Sequence, residues 1–336
     1  MQGLNSLESY GIGTTPIHLA KALCPIGQLY VKLEYVNVTG SIKARTAHYI
    51  VSDLIQRKKI KPGMTIVEST SGNLGIALAL FGREIGVSVV CLVDQTIPPR
   101  KIQRLRDAQA EVRLVELSVH PDFRTARLVE ACRLGKLADW IWPNQYGNEA
   151  GMFAHEETTG SEIWEALLGN VDCVVGTLGT GGTLCGIARA LKKRKPSVRI
   201  VAVEPCGSTI FGGIPSTYLS VGAGLPEASP LLHRHGYLID SFAKVSDVLA
   251  IQTCHTLARL EQLYVGITSG AAIAVATQLA ASDPEQIVVA IAPDGAENYE
   301  DILHGEFTGG EGVFDVSEVH DATEWHRILR PQESAT

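Results

Sequence analysis

No apolar run in the chain reaches the roughly 18 residues that a membrane-spanning helix needs, so no transmembrane segment is expected. The N-terminus, MQGLNSLESYGIG, lacks a basic start followed by an apolar core, so no signal peptide is expected and the reading is cytoplasmic. The seven cysteines (Cys24, Cys91, Cys132, Cys173, Cys185, Cys206 and Cys254) are odd in number and never spaced C-x-x-C. Most sit in apolar runs, and they read as small buried hydrophobes in a reducing compartment. The ten histidines form no H-E-x-x-H, and His233 and His235 lie two apart in a loop, so no metal site is expected. Aromatics make up only 6%, too few for platforms that stack single strands. Basic residues number 29 against 36 acidic, a net charge of −7, which argues against nucleic-acid or anionic-membrane partners.

The 336 residues are 45% hydrophobic and 19% charged, which excludes a disordered chain and supplies core for one large or two ordinary domains. Apolar β-rich runs alternate with helical patterns. The expected strands are Gln28–Val36, Thr65–Glu68, Val87–Val93, Glu111–Glu116, Cys173–Thr177, Val198–Glu204 and Ile287–Ala292. The expected helices are Ala44–Arg57, Gly75–Ile85, Pro99–Gln109, Arg124–Gly135, Glu156–Leu168, Leu184–Lys193, Val248–Gln262 and Ala271–Ala281. Continuous Val, Ile and Ala runs mark parallel strands covered on both faces, so the class is α/β with right-handed crossovers. Cys206–Gly236 is rich in Gly, Pro and Ser and shows no period, so it reads as a functional or mobile loop. The pattern resets near Asn144–Gly151, and the polar tail after about Phe307 reads as peripheral. The 33 glycines cluster where strands end, which is where open α/β sheets place ligands.

Three clusters carry chemistry. Gly176-Thr-Leu-Gly179-Thr-Gly-Gly-Thr183 follows a strand and opens a helix. It fails the G-x-G-x-x-G spacing because Leu184 stands where glycine is needed, and no lysine follows Gly181 to make a P-loop. A chain of backbone N–H groups at a helix start suits one phosphate monoester; a tight turn needing small residues is the alternative. Glu68-Ser-Thr70-Ser71-Gly72-Asn73-Leu74-Gly75 is a second strand-to-helix turn, either a carboxylate grip or an ordinary N-cap. Thr39-Gly40-Ser41-Ile42-Lys43-Ala44-Arg45 places Lys43 beyond a strand, as a Schiff-base lysine or as a solvated one in a first helical turn.

In this order the clusters resemble the pyridoxal-phosphate enzymes of the tryptophan-synthase fold type, the cysteine synthases and cystathionine β-synthases. The matching motifs are Asn37-Val-Thr-Gly40-Ser41-Ile42-Lys43, Thr70-Ser71-Gly72-Asn73 and Gly179-Thr-Gly-Gly-Thr183. Asn144-Gln145-Tyr146, Thr158-Thr-Gly-Ser-Glu162-Ile163, Val201-Ala-Val-Glu204-Pro205, Gly222-Ala-Gly224, Gly266-Ile-Thr268-Ser269-Gly270-Ala271 and Pro293-Asp294-Gly295 add to them. The resemblance covers about residues 8–300. It implies two three-layer α/β/α lobes with mostly parallel sheets and the cofactor between them. Residues 41–148 would form a smaller mobile domain, and 8–40 with 149–325 the larger cofactor-phosphate domain.

The resemblance also implies roles. Lys43 would hold pyridoxal 5'-phosphate as an imine and move the Cα proton. Asn73 would bond the cofactor's 3'-oxygen, and Gly179, Thr180, Gly181, Gly182 and Thr183 its phosphate. Thr268 would face the pyridine nitrogen, with Ser269 one residue away as the alternative. A neutral hydroxyl there does not stabilise a protonated ring, which makes a weaker electron sink. Thr70, Ser71, Gly72, the backbone at Leu74, Gln145 and Tyr146 would bind the substrate, and closure of the Thr70–Leu74 loop would exclude water. The reaction implied is β-replacement on an O-activated L-serine through an aminoacrylate, by a homodimer acting on small-molecule amino-acid substrates.

Departures narrow the match. The cysteine-synthase Lys-Asp-Arg is here Lys43-Ala44-Arg45, Leu74 replaces a threonine, Gln145-Tyr146 replaces Gln-Phe, and Asn298 replaces an arginine. Leu33-Glu-Tyr-Val, Glu68–Gly75, Asn144-Gln-Tyr146 and Gly207-Ser-Thr-Ile-Phe-Gly212 resemble the synthases of 2,3-diaminopropionate biosynthesis that join O-phospho-L-serine to L-glutamate. Cysteine synthase is the alternative. A catalytically idle relative serving as a binding partner or sensor, and a dehydratase-like lyase, are further ones. Arg45, Arg100 and Arg104 are candidates to meet a phosphate leaving group.

Overall fold

In chain order the strands are β1 (Ile17–Leu19), β2 (Gln28–Leu33), β3 (Thr65–Ser69), β4 (Ser88–Val93), β5 (Glu111–Leu114), β6 (Trp140–Ile141), β7 (Cys173–Thr177), β8 (Arg199–Pro205), β9 (Ser241–Val245), β10 (Ile287–Ala292) and β11 (His320–Asp321). The helices are α1 (Lys43–Gln56), α2 (Asn73–Glu84), α3 (Pro99–Asp107), α4 (Phe123–Leu134), α5 (Ala150–Ala154), α6 (Gly160–Ala166), α7 (Gly182–Lys192), α8 (Pro230–His235), α9 (Asp247–Glu261), α10 (Ile267–Ser282), α11 (Glu300–Leu303) and α12 (Thr323–Leu329). The structure, a computed structural model, describes residues 3–70, 72–117, 120, 122–220, 222–303 and 318–329. The chain divides into two units, Met1–Gly13 with Asn37–Ala154, and Thr14–Val36 with His155–Thr336. Among the described residues no helix is long and apolar enough to cross a membrane.

The first unit is built on a four-stranded parallel sheet ordered β5-β4-β3-β6. Side chains alternate across a strand, and here both faces are covered. Ile66, Val89, Cys91 and Val93 join a core with residues of α1, α2 and α3, while Val67, Val90 and Leu92 pack on Ala131 and Leu134 of α4. This two-sided burial is why these strands read as unbroken apolar runs.

The second unit holds a seven-stranded sheet ordered β1-β2-β10-β7-β8-β9-β11, parallel except for its outermost strands β1 and β11. Leu29, Val31, Val175, Val203, Val288 and Ala290 pack with residues of α9 and α10 on one face. Val174, Ile200, Ala202 and Val289 are equally buried.

Several expectations shift. The strand expected over Gln28–Val36 ends at Leu33, and Glu34–Val36 wind into a single tight turn. Strand β9 escapes a reading by apolar runs because Ser241 and Lys244 interrupt it. The 206–236 segment is not structureless: it contains α8, and its first part folds around Glu204. That fully buried carboxylate meets Lys244 Nζ at 2.8 Å and accepts from the amides of Ile210 and Phe211 and from the Ser208 hydroxyl. The tail is not wholly peripheral. β11 pairs with β9, and Trp325 is buried with its indole N–H donating to Ile210 O at 2.8 Å. Residues 304–317 and 330–336 of that tail lie outside the described residues. Cys24, Cys91, Cys173, Cys185 and Cys254 are buried, Cys132 half-buried and Cys206 exposed. Burial pushes the Cys91, Cys173, Cys185 and Cys254 thiols up to about 12, so they stay protonated and inert.

Candidate active site

Lys43 is the first residue of α1. The turn before it is shaped by its own motif. Asn37 accepts from the Gly13 amide through its side chain and from the Gly40 amide through its carbonyl, Gly40 takes a φ of 72°, and Ser41 Oγ accepts from the Lys43 amide. Burial pulls the Lys43 amine down to about 8, opposed by the charge of Glu68. Glu68, fully buried at the end of β3, is pushed up to about 7 by burial. Its carboxylate accepts from Trp142 Nε1 at 3.0 Å and from the amides of Ser69 at 2.9 Å and Gln145 at 3.1 Å. Sequence reading passed over Glu68 because a buried glutamate in a strand carries no spacing signal. The amine thus loses its proton near pH 8, well below the ordinary lysine range.

Beyond Glu68, Gly72 stands at the start of α2. Thr70 is buried, and its hydroxyl lies 3.5 Å from the Gly72 amide. Asn73 and Leu74 open α2, so their amides belong to its first, internally unpaired turn. The Leu74 side chain is in the core, which leaves its backbone N–H as the group it can offer. Gly75 must be glycine: a Cβ there would lie 2.6 Å from Cys91 Sγ and 2.8 Å from Leu105 of α3. Gln145 is tied to the same place, its side-chain amide donating to Ser69 O at 3.1 Å. Tyr146 is buried, with the Arg124 guanidinium 5.0 Å over its ring. The first unit therefore brings Lys43, Thr70, Asn73, Leu74 and Gln145 around the carboxyl end of β3. Ser71 lies outside the described residues. Arg45 is wholly buried, and Arg100 and Arg104 lie on α3.

In the second unit β7 ends at Thr177 and α7 starts at Gly182. Gly181 has a φ of 92°, and a Cβ there would sit 2.6 Å from Leu232, so the turn tolerates glycine alone. Thr180 O accepts from Ser229 Oγ at 2.7 Å, pinning the loop from behind. Among the described residues the amides of Gly179 to Thr183 have no acceptor. Half-buried donors without partners, at a helix start, are what a phosphate group satisfies. Thr183 Oγ1 lies 3.4 Å from His155 Nε2, and His155 Nδ1 lies 3.0 Å from Thr159 Oγ1. His155 begins a π-helical turn, a local irregularity common at functional sites, and no spacing in the sequence marks it.

Beyond this loop, a Cβ on Gly179 would meet Gly222 O at 3.5 Å, and one on Gly222 would meet Thr268 Cγ2 at 3.2 Å. Glycines thus keep open a path from the amide cradle to Thr268. The Thr268 hydroxyl donates to Asp294 Oδ1 at 2.7 Å and lies 3.1 Å from the Tyr299 hydroxyl. Ser269 Oγ instead donates to the Asp294 carbonyl, so Thr268 is the hydroxyl beside the glycine path. The Thr268 hydroxyl thus has a carboxylate behind it. Within the second unit the cradle, the glycine path and the buried hydroxyl suit the phosphate and ring of pyridoxal phosphate, and within the first the lowered Lys43 amine suits an aldehyde.

A family model described as pyridoxal-phosphate dependent enzyme matches residues 8–294. The chain belongs to that family. A crystal structure of O-ureido-L-serine synthase is 33% identical, with a TM-score of 0.82, covering 92% of this chain and 98% of that one. O-acetylserine dependent cystathionine β-synthase from Helicobacter pylori is 31% identical, TM-score 0.81, covering 90% and 98%. Cysteine synthase from Entamoeba histolytica is 28% identical, TM-score 0.82, covering 98% and 95%. The protein is thus a fold-type II, pyridoxal-phosphate dependent β-replacement enzyme of the cysteine-synthase family, in the transferase class.

Proposed function

We propose that this enzyme replaces the β-oxygen substituent of O-phospho-L-serine, or of another O-activated L-serine, with the amino group of L-glutamate. The product would be N-(2-amino-2-carboxyethyl)-L-glutamate, a precursor for 2,3-diaminopropionate. Bound pyridoxal phosphate would supply the carbonyl that captures the amino acid and the electron sink that acidifies its Cα. In this reading Lys43 holds the cofactor and, once released, moves the Cα proton. Asn73 bonds its 3'-oxygen, the amides and hydroxyls of Gly179 to Thr183 take its phosphate, and Thr268 faces its ring nitrogen. Thr70, Ser71, Gly72, the Leu74 amide and Gln145 hold the substrate carboxylate, and Tyr146 shapes the space next to it. Glu68 keeps Gln145 in place and balances the charge that Lys43 acquires.

The observation that carries the choice of substrates is the basic character of the carboxylate-binding unit. Helix α3 bears Arg100, Lys101, Arg104 and Arg106, and follows β4, the parallel neighbour of β3, at the same carboxyl edge as Thr70. Arg124 sits over Tyr146, beside Gln145. A departing phosphate and a two-carboxylate second substrate both call for such cations. Cysteine synthase is the second reading, favoured by the likeness to that enzyme and to an O-acetylserine dependent synthase. We take the enzyme to work as a homodimer in the cytoplasm.

Mass spectrometry of products from acetyl- and phosphoserine, each against sulfide and glutamate, tests this. The amino-linked adduct is expected. Turnover only with sulfide and O-acetylserine would transfer the case to cysteine synthase.

A further inference from the structure

Residues 206–240 join β8 to β9, and part of this segment walls the amide cradle. A Cβ on Gly179 would lie 3.5 Å from Gly222 O and 3.8 Å from Ala223 Cα. The Gly224 amide donates to Leu178 O at 2.7 Å, and Ser229 Oγ donates to Thr180 O at 2.7 Å. Leu232 of α8 closes on Gly181, 2.6 Å from a Cβ built there. Each residue from Gly179 to Gly181 therefore has this segment against it. A wall made of loop has few ladder hydrogen bonds of its own, so what packs on it decides how well it is held.

Strand β11 and helix α12 hold the segment at both ends. At its start, the Trp325 indole N–H donates to Ile210 O at 2.8 Å. The same ring lies 4.4 Å from Phe211, which stacks on Phe242 of β9 at 4.2 Å. That hold passes on to the wall. The Thr209 amide donates to Leu225 O at 3.0 Å, the Thr209 hydroxyl to Pro226 O at 2.6 Å, and the Leu225 amide to Ser208 Oγ at 3.0 Å. At its end, His233 Nδ1 donates to Leu329 O at 3.2 Å and His326 Nε2 to Ile239 O at 2.8 Å. The Ala322 amide donates to Asp240 O at 3.1 Å. Gly236 allows this approach, since a Cβ there would lie 2.6 Å from Leu329 and 2.9 Å from Trp325. Trp325 and Leu329 are each only 5% exposed, so the helix is packed onto the segment and not merely tethered to it. Both elements lie beyond residue 294, so no motif of the family covers them.

We infer that β11 and α12 form a clasp, with Trp325 as its positioning residue, that sets how firmly the cradle holds the cofactor's phosphate. The inference rests on the reading that Gly179 to Thr183 take that phosphate. With the clasp docked, the wall already stands against the cradle, and phosphate binding orders nothing further. With the clasp released, the wall has to be ordered as the phosphate enters, and the entropy of that ordering is subtracted from the affinity. The coupling runs both ways: bound cofactor stabilises docked α12 by as much as docked α12 favours the cofactor.

The test is titration of the full-length apoprotein with pyridoxal 5'-phosphate and with pyridoxal, which lacks the phosphate, beside hydrogen exchange of wild type with and without cofactor. The variants are Trp325→Ala, and Trp325→Phe, which keeps a ring and loses the N–H. The control is Leu257→Ala, which opens a cavity in the core that α9 shares with Ala243 and Val245, on the face of β9 opposite Phe242. Wild type is expected to prefer the phosphorylated aldehyde. Trp325→Ala should cut that preference by about tenfold or more, the size of an ordinary coupling between sites, and Trp325→Phe by a smaller factor. Leu257→Ala should leave it unchanged, and the amides of residues 323–329 should exchange more slowly once cofactor is bound. Trp325→Phe and the wild-type exchange decide the matter should Trp325→Ala fail to fold. A preference undiminished in the Trp325 variants, an equal loss in Leu257→Ala, or exchange at 323–329 indifferent to cofactor would overturn this inference alone. Wild type that binds the two aldehydes equally would overturn the phosphate reading and this inference with it.

Discussion

Lys43 and Glu68 set each other's charge. The amine at about 8 instead of 10.5 means that the unfolded chain binds a proton, as pH falls from about 10.5 to about 8, that the folded apoprotein does not. Stability of the apoprotein therefore falls across that window, and Lys43→Met should flatten it in chemical denaturation series. Glu68 at about 7 instead of 4.5 works in the opposite sense: the folded state holds a proton that the unfolded chain releases, so stability falls as pH rises from about 4.5 to about 7. Glu68→Gln should remove that slope. It should also lower the midpoint for capture of a pyridoxal aldehyde by Lys43, because the charge that holds the ammonium is gone. A midpoint near the ordinary lysine value, read by absorbance against pH, would contradict this. Lys43→Ala should reduce turnover by about 10²–10⁴-fold through loss of the proton carrier. Lys43, Asn73 and Gly179–Thr183 were legible because each sits in a motif with fixed spacing. Glu68, His155 and Asp294 were not read as working residues, because their partners come from distant parts of the chain and only the fold joins them.

At the scale of elements, strand ends hold the chemistry and glycines shape it. Gly181→Ala places a Cβ on a left-handed residue against Leu232. It should cost about 1–3 kcal/mol of stability and weaken cofactor uptake, measured by denaturant midpoint and by titration with pyridoxal phosphate. Unchanged uptake would remove the loop from the phosphate site. Glu204 lies in the strand that precedes the long loop, and its motif gave no hint that it organises the residues after it. Glu204→Ala leaves Lys244 and two amides short of an acceptor and should cost about 3 kcal/mol. The loop's lack of periodicity was read correctly, but a loop folded around one buried carboxylate has no periodic signature to find.

At the scale of the whole molecule, the alternation of strand and helix was visible because parallel strands buried on both faces need unbroken apolar runs. The short outer strands β1, β6 and β11 were not visible, being two or three residues long. The tail carries such a strand plus Trp325, buried with its N–H bonded to Ile210. Trp325→Ala should destabilise by about 3–5 kcal/mol in chemical denaturation, whereas a peripheral tail would leave the midpoint where it was.

The chemistry depends first on where the cofactor is bound. Reducing the holoenzyme with borohydride, digesting it and mapping the labelled peptide should place the pyridoxyl group on Lys43. A label on another lysine, or a protein that takes up no cofactor, would contradict it.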